Sequence, residues 1–315
     1  MSKQLSIDEL NSLLSSLESG GAESMSNAEL DDAIRRTHDG FMFVAPIYDP
    51  GLVIWRMVRV GSLPAHKGRI SYPPKELVTV RGRLNETLDP VFYGSLQYIM
   101  PCVFEVGMTV GDIYCASMWR SKERIMCSHL GYSKEVLANS VIPRSLPNWA
   151  EVRMDTERNE LIRKWQARVF TRQVPKGSEH LYRLGLALKR FAIAKIAAAT
   201  PDGFTAFDGL IYPSIATTLA FDNVALLPST VDDKFDLVEA RLLALVGWTG
   251  GSSMNARQES QITMSDYDCA HPNSDGRLQW GAKRTITFDE MIGTTSTPSK
   301  DTRIEPLEKR VVFTV

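Results

Sequence analysis

Apolar residues in the first forty positions recur at helical spacing. Ile7, Leu10, Leu13, Leu14 and Leu17 share one face, and Leu30 and Ile34 mark a second run. Each run opens on a capping box, Ser6 with Glu9 and Ser26 with Glu29, and Ser19-Gly20-Gly21 separates them. The pattern predicts two short helices, whose apolar faces pack on the main body, meet a partner protein or form a dimer contact, with packing in cis as the first expectation. From Gly40 the pattern changes to short apolar runs broken by Pro and Gly. Leu52 to Val58 reads as a strand with Arg56 in its middle, and Val91 to Tyr93 as another. A short helix is expected around Ser95 to Met100. Pro101 to Val106 then reads as an apolar strand interrupted by Glu105, a charge that is costly to bury without compensation. Gly111 to Trp119 closes this β-rich half.

Residues 120 to 178 are more charged. Glu151 to Gln166 predicts a partly solvated helix with Leu161, Ile162 and Trp165 as its buried edge. Ser178 is expected to cap a helix from Glu179 to Ala199, so apolar beyond Leu186 that it should lie across a sheet, and to end at Pro201-Asp202-Gly203. Phe207 to Ser214 and Phe221 to Leu227 read as strands. In Phe235 to Val246 helical spacing and β-branched content compete. Gly250 to Asn273 and Gly293 to Thr302 read as Ser/Thr/Gly-rich loops, and Arg310 to Val315 as a terminal strand. Helices interspersed with short strands, without regular βαβ units or internal repeats, indicate an α+β fold.

Composition narrows the partners. The chain has 315 residues, 43% of them hydrophobic, enough for a sizeable core. With 36 basic and 37 acidic residues the net charge is −1, so no global field draws it to nucleic acid or to an anionic membrane. An anion site would have to be local. Cys102, Cys115, Cys127 and Cys269 show no CxxC pair and lie largely in apolar sequence, which predicts reduced core thiols. Without the apolar core of a signal peptide or a run long enough to span a bilayer, a cytoplasmic protein is the expectation.

The familiar nucleotide and hydrolase signatures are missing. There is no GxxxxGK[ST], no GxGxxG after a strand, no HExxH and no GxSxG. His38, His66, His129, His180 and His271 are scattered without ligand spacing, so no metal is expected. Arg81-Gly82-Arg83 remains, in which Gly82 allows close backbone approach and Arg83 offers a planar fork suited to phosphate. Taken singly, the neighbouring candidates have bland readings. Arg56 reads as an edge-strand charge or an ion pair, Tyr93 and Tyr212 as core aromatics, and Ser214 and Asn223 as turn residues. Glu105 resists that treatment, since it calls for a partner such as Arg56 or Arg83.

In order, Trp55-Arg56, Gly82-Arg83-Leu84-Asn85, Pro90-Val91-Phe92-Tyr93, Glu105, Gly209 to Ser214, and Asn223 resemble the blocks of the RES-domain family, named for an arginine, a glutamate and a serine. Tyr72-Pro73-Pro74 and Gly111-Asp112 resemble its longer members. The blocks run from about residue 54 to about 228, leaving residues 1–40 as an N-terminal helical extension of a domain spanning 41–315, and 229–315 as a C-terminal extension. The resemblance implies an ADP-ribosyltransferase-like core of two small packed β-sheets surrounded by helices. It also implies consumption of NAD⁺ as substrate, by hydrolysis or phosphorolysis, in toxins paired with an antitoxin or immunity protein, and implies a homodimer.

The residues suit that chemistry independently. Cleavage of the nicotinamide–ribose bond passes through an oxocarbenium-like centre, which a fixed carboxylate stabilises, and Glu105 is the candidate. Arg56 and Arg83 would grip the pyrophosphate. Tyr93 would stack on the cationic nicotinamide ring. Ser214 would bond the carboxamide or orient Glu105, with Asn223 supporting either. ADP-ribosyl transfer to a protein or nucleic acid is the alternative activity, and a non-catalytic nucleotide-binding interaction module the second alternative.

Overall fold

The computed structural model describes residues 4–41, 43, 45–138, 156–172, 174–175, 177–199, 208–214, 216–217, 221–249, 260–281 and 309–313. Both capping boxes form. Ser6 N donates to Glu9 Oε2 at 2.7 Å and Ser26 N to Glu29 Oε2 at 2.7 Å, while each serine hydroxyl accepts the returning backbone N–H. They open α1 (Ile7–Ser16) and α3 (Asn27–Thr37), joined through a kink at Gly20, whose φ is +104°, and a single turn, α2 (Ala22–Ser24). Leu10, Leu14, Leu30 and Ile34 share one core cluster with Trp165, Leu188, Tyr212 and Ala225, so the extension packs in cis. Arginines of the later helices tie it down: Arg158 donates to Leu5 O at 2.8 Å, Arg183 to Ala22 O at 2.9 Å, and Arg168 and Arg190 pair with Glu18 and Asp31.

The strands are β1 (Ile47–Tyr48), β2 (Val53–Arg59), β3 (Phe92–Leu96), β4 (Ile113–Ser121), β5 (Ile125–His129), β6 (Gly209–Pro213), β7 (Asp222–Leu226), β8 (Phe235–Thr249), β9 (Ser260–Pro272), β10 (Leu278–Trp280) and β11 (Lys309–Phe313). They make one sheet in the order β1-β5-β6-β7-β3-β2-β4-β8-β9-β10, with β11 also on β9. Among the described residues only β5 and β6 pair in parallel. Ile125, Cys127, Ile211 and Val224 from one half join Ile54, Trp119, Leu237 and Ala270 from the other in a single core, so the sheet curls over its own apolar face. The halves meet where β2 and β3 share two residue pairs, Ile54 with Leu96 and Trp55 with Ser95. Gly94 permits that junction, because a Cβ there would lie 2.5 Å from Ile54 Cγ2 and 2.7 Å from Trp55 O.

On the opposite face one row crosses six strands: Tyr212, Asn223, Ser95, Trp55, Met118 and Glu239. Helices cover it at two places. The N-terminal helices, α6 (Glu157–Thr171) and α7 (Arg183–Ala199) enclose the cluster around Trp165 and Leu188, and α4 (Met100–Glu105) packs on Trp55, Met57 and Ala116. Two short helices, α5 (Lys134–Ala138) and α8 (Pro228–Lys234), complete the described elements. The fold is α+β. Among the described residues no helix is long and apolar enough to cross a membrane.

Several expectations change. Pro101 to Glu105 is helix rather than strand and Ser95 lies in β3, so the predicted strand and helix exchange places. Pro101 sits in the first turn, where its missing N–H costs nothing, and Gly107 at φ +59° follows the helix end. Ser178 makes no side-chain cap. A 3₁₀ turn, Glu179–Tyr182, precedes α7 instead. Part of the expected Gly250 to Asn273 loop is β9, whose backbone pairs along β8 from Thr249–Gln261 to Ala240–Ala270, and this ladder outweighs the polar composition. Phe235 to Val246 resolves as strand. Residues 151–155, 201–207 and 293–302 lie outside the described residues. All four cysteines are buried, and none is joined in a disulfide.

Candidate functional site

Glu105 is the last residue of α4, on the rim where the helix meets solvent. Its Oε1 accepts two hydrogen bonds, from Ser214 Oγ at 2.6 Å and from Asn223 Nδ2 at 2.6 Å. Both donors are buried, Ser214 completely. Neither is a turn ornament. Ser214 follows β6 and is fixed by its own N–H to Phe221 O at 2.8 Å, while Asn223 lies within β7, flanked in register by Tyr212 and Ser95. Among the described residues Oε2 makes no hydrogen bond. Neither Arg56 nor Arg83 forms an ion pair with Glu105, so the expected arginine partner is replaced by two neutral donors. These donors fix the carboxylate's position without cancelling its charge.

Arg83 leaves the loop after Gly82 and turns to the C-terminal end of α6, donating to Phe170 O and, at 3.2 Å, to Arg172 O. Its guanidinium lies 5.6 Å from the centroid of the Tyr182 ring. The loop is held by Tyr93, whose hydroxyl accepts from Leu84 N at 2.8 Å and donates to Asn85 Oδ1 at 3.1 Å. Gly82 leaves room for this arrangement, since a Cβ there would meet the Asn85 carboxamide and the Tyr93 hydroxyl. Arg56 is neither an edge charge nor half of an ion pair. It sits on β2, between β3 and β4, and donates to Ser71 O at 2.9 Å and Tyr93 O at 2.7 Å, above the Phe92 ring. Both arginines therefore carry a positive charge bonded to neutral carbonyls. Among the described residues no carboxylate pairs with either.

Burial lowers Arg56 to about 10, which leaves it charged at neutral pH. Burial raises the Tyr93 and Tyr212 phenols, so both stay protonated. It also pushes Cys102, whose Sγ donates to Trp55 O, up to about 12 and keeps it a thiol. The expected residues thus fall into one direct contact, Glu105 with Ser214 and Asn223, and one chain of contacts, Arg56 to Tyr93 to the Arg83 loop. Sequence reasoning put Tyr212 in the core and passed over Tyr182. The signal for Tyr212 was its place two residues before Ser214, at the end of β6. Tyr182 carried no signal.

The histidines do not converge on this site. His38 is buried against Thr37, Ile34 O and Gln166, and burial lowers it to about 4. Neither a protein-family model nor a curated protein matches the sequence.

Proposed function

We propose that the chain is an NAD⁺-consuming enzyme of the RES type, with an ADP-ribosyltransferase-like core. The observation that carries this reading is the Glu105 carboxylate, held at one oxygen by Ser214 and Asn223 and, among the described residues, open at the other. As the nicotinamide–ribose bond breaks, its electron pair leaves with nicotinamide and positive charge grows on the ribose. A prepositioned carboxylate with uncancelled charge stabilises that centre more than it stabilises the ground state. Water or phosphate then bonds to the anomeric carbon, and a proton is released. Nicotinamide departs as a neutral ring, so no histidine acid is needed. Arg83 and Arg56 supply positive charge for the pyrophosphate, and the fold of both sheet halves over one core supports the two-sheet reading.

Purified protein incubated with NAD⁺, with and without phosphate, is expected to release nicotinamide. Glu105→Ala should lower the rate by about a hundredfold or more, the scale of losing a preorganised electrostatic contact. Release by wild type no faster than by Glu105→Ala under both conditions overturns the proposal. A second reading, transfer of ADP-ribose to a macromolecule, is favoured by the exposed Val106 and Val110 that follow Glu105, an apolar rim on which an acceptor could sit. Labelled NAD⁺ would then mark a protein or nucleic acid in place of free ADP-ribose. Under the first reading the protein acts in the cytoplasm as a toxin restrained by an antitoxin or immunity protein, with a homodimer as its assembly.

A further inference from the structure

Tyr212 is 5% exposed and stands between the two halves of the proposed site. Asn223 is its cross-strand neighbour, and Ser214 lies two residues further along the chain. Both hold Glu105. Its ring is 5.6 Å from that of Phe170, whose carbonyl accepts from Arg83. Yet the Tyr212 hydroxyl makes no hydrogen bond among the described residues. The ring is buried, but the hydroxyl oxygen is not sealed from solvent, so a donor without a partner among the described residues keeps a side that a ligand can reach. Tyr93, the half-buried phenol of the Arg83 loop, has two. Burial raises the Tyr212 phenol most, the nearby Glu105 charge raises it further and Arg83 lowers it, so both charged groups lie within electrostatic reach of the ring.

We infer that the Tyr212 hydroxyl is a ligand-binding group, donating a hydrogen bond to the ribose that joins the nicotinamide end to the pyrophosphate. The inference rests on the NAD⁺ reading above and deepens it. Glu105 takes the anomeric end of that ribose and Arg83 its phosphate end, and the sugar's oxygens are the acceptors that fall between a carboxylate and a guanidinium. The Phe170 contact is the second part of the argument. It packs the ring while leaving the hydroxyl uncommitted, so less ordering remains to be done when a ligand arrives.

The test compares wild type with Tyr212→Phe, which keeps the ring and removes only the hydroxyl. Calorimetry with ADP-ribose should show binding weakened about tenfold, the size of one lost hydrogen bond to a ligand. ADP lacks the second ribose and should bind both proteins equally. In turnover the KM for NAD⁺ should rise by a similar factor with kcat nearly unchanged, as for a contact made equally in ground and transition states. The melting temperature should not fall. A destabilised Tyr212→Phe overturns the inference, because the hydroxyl would then be bonded within the protein. So does a variant matching wild type with ADP-ribose and NAD⁺, or one losing ADP affinity equally. Wild type that neither binds ADP-ribose nor releases nicotinamide removes the enzymatic reading itself, a result distinct from an active wild type with an indifferent Tyr212.

Discussion

Glu105 and Glu239 stand over the same face of one sheet and meet opposite fates. Glu239 is buried on β8, and its Oε1 accepts from Arg241 Nε at 2.8 Å. Arg241 also reaches Asp266 Oδ2 at 3.5 Å. Charge there is matched inside the protein. Among the described residues, Glu105 has two neutral donors and an open oxygen. The difference separates a carboxylate that serves the fold from one available to a ligand. An ion pair satisfies its members where they sit, whereas hydroxyl and carboxamide donors orient a charge and leave its field intact.

Removing the cation should break the first region most. Arg241→Ala removes the cation paired with buried Glu239 and is expected to lose about 3–5 kcal/mol in chemical denaturation. A loss below about 1 kcal/mol would place Glu239 with the open carboxylates and dissolve the contrast. In the second region, Ser214→Ala should lower nicotinamide release by the equivalent of about 1.5–3 kcal/mol, the range for a hydrogen bond to a charged group. The melting temperature should move little, and a large stability loss with unchanged turnover would assign Ser214 to the fold.

A pH titration sharpens the same comparison. Burial, opposed by Arg241, pushes Asp266 from 3.8 up to about 7. A folded-state value above the unfolded one means that the native protein binds the proton more tightly. This contribution is complete below about pH 4 and is lost as pH rises through about 7. Lowering the pH from 8 to 6 should therefore raise stability by about 1.4 kcal/mol through this group, and Asp266→Asn should abolish that gain. An unchanged pH dependence in the variant would show that Asp266 titrates elsewhere. The smallest effect is expected at the N-terminus, where Ser26→Ala removes one cap of α3 and should cost about 1 kcal/mol or less in thermal unfolding.

The capping boxes were legible because each is closed within three residues and needs no distant partner. The terminal strand expected over Arg310 to Val315 was legible for a similar local reason, its apolar run: β11 covers Lys309–Phe313, and residues 314–315 lie outside the described residues. Glu105 illustrates the opposite case. A six-residue apolar run has too little periodicity to separate strand from helix, and the decision came from packing on Trp55 and Met57. β9 was hidden because its hydrogen bonds are supplied by β8 rather than by its own propensity. At the candidate site, residue types and their order were visible. Ser214 orienting Glu105 with Asn223 in support was one expected alternative and is the arrangement found, whereas the absence of an arginine partner was not visible, since the bonds that replace it span 109 and 118 residues.

Arg83 closes the C-terminal turn of α6 from outside, taking carbonyls that the helix itself cannot satisfy. An anion drawn to its guanidinium competes with a helix end for the same donors. Occupancy and fraying are then two readings of one event: a ligand that wins Arg83 loosens Phe170 O and Arg172 O, and faster amide exchange beyond that turn would report it.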